Sequence, residues 1–130
     1  MRTFLMNKLV RDKVLSTMEK QGKKTTSRIL NDEEFVKELK TKLKEELAEL
    51  DEVEFGDREH FINELADIQL LIDYLLKINK ITKEELNKFQ KEKLKKVGGF
   101  EERIFAEEVN LKDNDEWVGY YIKKGFKEIK

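Results

Sequence analysis

The sequence predicts an all-α fold: an antiparallel helical bundle completed by oligomerisation, with a short C-terminal extension. Three observations lead there. The chain has no proline and only six glycines in 130 residues, so little interrupts long helices. Apolar residues recur at three- and four-residue spacing over two long stretches. Charged residues make up 42% of the chain yet nearly cancel, 27 basic against 28 acidic, as on solvated helix surfaces.

Taken in order, Met1 to Val10 is short and partly apolar and leads into a short helix over Arg11 to Gln21. Gly22 to Leu30 is a polar, basic loop. Asn31 or Asp32 caps a long helix to about Glu54, and Asp32, Glu33 and Glu34 complement its N-terminal dipole. Its apolar stripe is Phe35, Val36, Leu39, Leu43, Leu47, Leu50 and Val53. Gly56 ends that helix and Asp57 caps the next, which runs to about Asn79. So short a connection makes the two helices antiparallel neighbours. Thr82 with Glu85 is a capping-box pair for a further helix that ends near Val97, before Gly98 and Gly99. A turn and a short strand at Ile104 to Val109 are expected next. The tail from Asp113 carries Trp117, Tyr120, Tyr121, Ile122 and Phe126, too apolar for a disordered end, and is expected to pack on the body or on a partner subunit. The domain assignment is residues 1–108 for the body and 109–130 for the extension.

Composition also excludes. The formal net charge of -1 gives no global field for a nucleic-acid polymer or an acidic membrane. Without cysteine there are no disulfides, thiolate metal sites or cysteine nucleophiles. The opening residues hold no apolar run long enough for a signal peptide or membrane span, so a cytoplasmic location is expected.

The acidic residues of the two long helices break the pattern. At about 100° per residue from Leu43, Glu46 falls near -60° and Glu49 near -120°, inside and at the edge of the apolar arc. Measured from Leu65, Glu64 projects near -100°, between Leu75 and Leu71, and Asp67 near -160°. The second of these helices is apolar almost all round, which points to burial on more than one side in an oligomer, most simply a dimer. Each helix thus sets two carboxylates one turn apart on a face that should be buried. Glutamates at helical spacing more often form surface pairs with lysines, and Lys42 and Lys44 are at hand. Two acidic pairs on apolar faces of adjacent helices favour a cation site, because ionised carboxylates crowded together need compensating charge. Oxygen donors without histidine or cysteine fit Mg2+, or Mn2+, and Mg2+ in turn favours phosphate ligands.

The run Glu45-Glu46-Leu47-Ala48-Glu49, fourteen residues, then Glu64-Leu65-Ala66-Asp67 resembles the EExxE…ExxD signature of the all-α nucleotide pyrophosphohydrolases. That superfamily includes MazG proteins, dimeric dUTPases and phosphoribosyl-ATP pyrophosphohydrolase. The segment KLVRDKV at Lys8 to Val14 and the segment KKVGGFEERI at Lys95 to Ile104 resemble the opening and closing elements of its MazG-like, phosphoribosyl-ATP pyrophosphohydrolase-like branch. The resemblance spans roughly residues 6 to 108. It implies that Glu46, Glu49, Glu64 and Asp67 hold the metal and that Glu45 orients or deprotonates the attacking water. The implied reaction cleaves a nucleoside triphosphate, standard or modified, between the α and β phosphates, giving a monophosphate and pyrophosphate and clearing nucleotide pools. The implied assembly is a homodimer or homotetramer.

Lys8, Arg11 and Lys13 at one end, and Lys96 and Arg103 at the other, are the candidate holders of the triphosphate. Ordinary solvated charge explains each of them about as well, and Asp12 is available to pair with Lys8 or Arg11. Val97 departs from the family pattern, which often has a basic residue before the GGF element. His60, the one histidine, is expected at the surface, as is Asn63; Trp117 is expected to pack the tail. Two other functions fit the same residues: phosphoribosyl-ATP hydrolysis in histidine synthesis, and a helical interaction module without catalysis.

Overall fold

The structure is a computed structural model that describes residues 1–130. It is all-α: α1 spans Val14–Lys20, α2 Asp32–Asp51, α3 Arg58–Ile78, α4 Lys83–Val97 and α5 Val118–Lys124. No helix is long and apolar enough to cross a membrane. The chain divides into two compact units, residues 1–91 and 92–130, so the expected division at 108–109 falls inside the second.

In the first unit, α2 and α3 pack against each other as the principal helix pair. Their ends follow from local chemistry. Asn31 accepts the Glu34 backbone N–H at 2.9 Å while Glu34 accepts the Asn31 N–H at 3.3 Å, closing a capping box that fixes where α2 starts. Arg28 adds a 2.7 Å ion pair to Glu34. Gly56 takes φ +96°, a left-handed turn that a side chain would strain, and reverses the chain. Asp57 then accepts the His60 N–H at 3.3 Å and opens α3, its other oxygen 2.8 Å from the His60 ring. That contact raises the exposed imidazole's pKa and lowers that of Asp57. The Thr82 hydroxyl accepts the Glu85 N–H at 3.1 Å and starts α4.

The interior of the α2–α3 pair is thin. Leu39 and Ile68 are its buried apolar residues, with Phe35, Val36, Leu43, Leu50, Phe61, Leu71, Ile72 and Leu75 half-buried beside them. Phe35 meets Tyr74 edge to face across the pair. Leu47 and Leu65, expected inside, are exposed, as is Ile62, so α3 is covered along one face only.

In the second unit the strand expected at Ile104 to Val109 does not form; those residues are irregular. A strand needs a ladder partner for its N–H and C=O groups, and the chain contains no other strand. The tail forms the short helix α5, ended by Gly125 at φ +85°. Trp117, Tyr120, Tyr121 and Phe126 pack in succession there, edge to face or tilted, with neighbouring centroids 5.1 to 5.5 Å apart.

Candidate metal centre

Three carboxylates converge where α2 faces α3. Glu46, Glu64 and Asp67 each offer an oxygen within 4.8 Å of the other two. The helical pattern explains the convergence. Leu39, Leu43, Glu46 and Leu50 form the inward stripe of α2, so Glu46 sits near the middle of the covered arc. In α3 the inward stripe is Phe61, Glu64, Ile68, Leu71 and Leu75. The axis of that stripe lies closer to Glu64 than to Leu65, the apolar residue from which the arc was measured. Glu64 is therefore only 8% exposed, the sole buried charged residue of the chain.

Such burial is costly without partners. Asn63 holds one Glu64 oxygen weakly, its amide 3.5 Å from Oε1. Glu64 Oε2 and Glu46 Oε2 are both buried, and no donor of the protein reaches either. Burial, the proximity of Glu64 and the negative charges of Glu49 and Asp67 push the Glu46 carboxyl up to about 7.

Glu49 lies one turn beyond Glu46, near enough to act on its charge, yet it is exposed and falls outside the three-carboxylate group. A residue near -120° on the wheel is at the rim of the α2–α3 seam, and its side chain extends into solvent.

The N-terminal segment closes over the carboxylates. Arg11 Nη2 donates to Asp67 Oδ1 at 2.8 Å, joining residues 56 positions apart. Lys8 Nζ stands 3.5 Å from Glu45 Oε1, and Lys42 Nζ stands 3.6 Å from its Oε2, so Glu45 has a counter-ion on each oxygen. Asp12, the nearer partner by sequence, forms no ion pair with Lys8 or Arg11. Lys13 also forms none; it precedes α1, and its carbonyl accepts the Ser16 and Thr17 hydroxyls. Lys96 and Arg103 belong to the second unit, are exposed and form no ion pair; Arg103 adopts φ +56°. The pairing of Lys8 and Arg11 with the acidic helices depends on the fold and carried no local signal.

The donor set fits a hard divalent cation. It is all oxygen, three carboxylates are already gathered, and two of their buried oxygens are orphaned. Mg2+ and Mn2+ match such donors better than zinc, which prefers nitrogen and sulfur. No protein-family model, curated protein or solved structure was found to match the chain.

Proposed function

We propose that the chain is a Mg2+-dependent nucleoside triphosphate pyrophosphohydrolase of the MazG-like kind, acting as a homo-oligomer. The observation that carries this reading is the buried, unpartnered Oε2 of Glu64 beside that of Glu46, with Asp67 completing the group. Surface carboxylates would be solvated or paired with lysine; these two are withdrawn from water and left unpaired, which an ion would remedy. Order of the motifs along the chain supplies the second support, the Lys8–Val14 segment folding against the acidic helices through Arg11 and Lys8.

In this reading Glu46, Glu64 and Asp67 would hold Mg2+, with Glu49 as a fourth ligand. The ion would neutralise phosphate charge and make water a better nucleophile. Glu45 receives the proton of the attacking water as its oxygen bonds to the α phosphorus, and pyrophosphate leaves with the electron pair of the α–β bridge. Lys8, Arg11 and Lys13 hold the leaving phosphates. A cytoplasmic enzyme acting on free nucleotides needs no membrane or nucleic-acid partner.

The test is a panel of ribo-, deoxy- and modified nucleoside triphosphates, with phosphoribosyl-ATP included, assayed for pyrophosphate release with Mg2+. Turnover of one or more triphosphates, lost on chelation, is expected. Preference for phosphoribosyl-ATP would move the protein into histidine synthesis. No release from any compound, together with no Mg2+ binding by calorimetry, would overturn the proposal and leave a helical interaction module.

A further inference from the structure

The Arg11–Asp67 contact ties the N-terminal segment to the proposed cation site, and the two compete in charge. Asp67 is one of three carboxylates gathered at the seam, and Arg11 is the one cationic group bonded to any of them. The Arg11 side chain is 64% exposed and that of Asp67 29% exposed, so the pair sits at the rim rather than in the interior. Deeper in, Glu46 Oε2 and Glu64 Oε2 remain without a partner. Arg11 therefore compensates the outer part of the cluster and leaves the inner part open. The tether is thin: Lys8 to Glu45 at 3.5 Å is the other ion pair of this segment, with Leu9 and Val10 half-buried between the two.

We propose that Arg11 is a displaceable counter-ion of Asp67, released when a divalent cation takes that carboxylate. The inference rests on the metal reading above and deepens it. A cation that engages Asp67 satisfies the charge that now holds Arg11, and it repels the guanidinium. The freed planar fork matches the paired oxygens of a phosphate, for which arginine is well suited. The chain would thereby favour the metal-loaded site before the polyphosphate tail is gripped. Before nucleotide binds, Arg11 acts on the cation site through Asp67.

Two opposing roles give opposite signs. If Arg11 merely holds Asp67 in a binding pose, its removal weakens cation binding. If Arg11 competes with the cation, its removal strengthens binding, since both the occupied carboxylate and the repelling charge are relieved. Mn2+ affinity of the full chain without nucleotide, measured by electron paramagnetic resonance of free Mn2+, distinguishes them. Arg11→Ala is expected to bind Mn2+ about three- to fivefold more tightly than wild type, the upper part of the range open to an exposed ion pair. Arg11→Lys should lie close to wild type. Lys13→Ala removes the same charge from a residue without an ion pair and should change affinity by less than about twofold. By reciprocity, Mn2+ must loosen the segment it displaces, so amide hydrogen exchange in residues 7–12 should quicken when the ion is added to wild type.

Unchanged or weaker Mn2+ binding by Arg11→Ala overturns the proposal while the metal reading survives. So does an equal gain in Lys13→Ala, which would mark a general field effect. Absence of Mn2+ binding by every variant, wild type included, removes the metal reading and this proposal with it. Circular dichroism of each variant confirms that the helices persist, as expected for substitutions at exposed side chains.

Discussion

Glu46 is the residue through which pH acts most strongly on the folded state. Its carboxyl is held up to about 7 against an ordinary value of 4.5. Between these values the folded chain keeps a proton that the unfolded chain has released. The free energy of unfolding therefore falls as pH rises through that window, and the cost is fully present above about 7. Glu46→Gln removes the titrating group and keeps the shape. At pH 8 the variant should melt roughly 3–6 °C above wild type, corresponding to about 1–2 kcal/mol in a domain of this size. At pH 4.5 the two should agree closely, which thermal unfolding followed by circular dichroism would show. Equal melting at pH 8 would mean that no destabilising charge sits at this position. Glu64→Gln tests the neighbouring oxygen: hydrolysis and Mn2+ binding should be lost with the helical spectrum unchanged.

The α2–α3 pair holds the carboxylates in place, and its stability rests on few contacts. Leu39 is 1% exposed and is the largest fully buried side chain. Leu39→Ala should cost about 2–4 kcal/mol, a cavity loss that so thin an interior has little means to absorb, read as a lower urea midpoint. Asn31→Ala opens the α2 capping box and should cost about 1 kcal/mol by the same measure. The beginnings of α2, α3 and α4 were legible in the sequence because each is fixed by a local pair: Asn31 with Glu34, Asp57 with His60, Thr82 with Glu85. The intrusion of Glu46 and Glu64 on apolar faces was legible too, since helical spacing alone decides it. What depends on distant packing was not. The pairing of Arg11 with Asp67 joins segments with no local relation, the exposure of Glu49 depends on where α3 lies, and Ile104 to Val109 had strand-like residues without a strand to pair with.

For the whole molecule, surface area is the governing quantity. A folded monomer of 15.5 kDa is expected to expose about 7,200 Å² by the scaling of compact proteins. This chain exposes 13213 Å². On the α2–α3 pair alone, Ile62 and Leu65 stand 52% and 51% exposed on α3, while Leu47 is 48% exposed on α2. An isolated helical pair with two buried apolar side chains does not supply the stability of a domain, so association is the expected source of the remainder. Sedimentation equilibrium should give a dimer or tetramer at micromolar concentration, and thermal midpoints should rise with protein concentration, as folding linked to association requires. The double substitution Ile62→Glu with Leu65→Glu places charge on that face and should lower both the assembled mass and the melting temperature. A wild-type monomer with a concentration-independent, cooperative transition would show instead that one chain suffices, and the proposed homo-oligomer would then have to be abandoned.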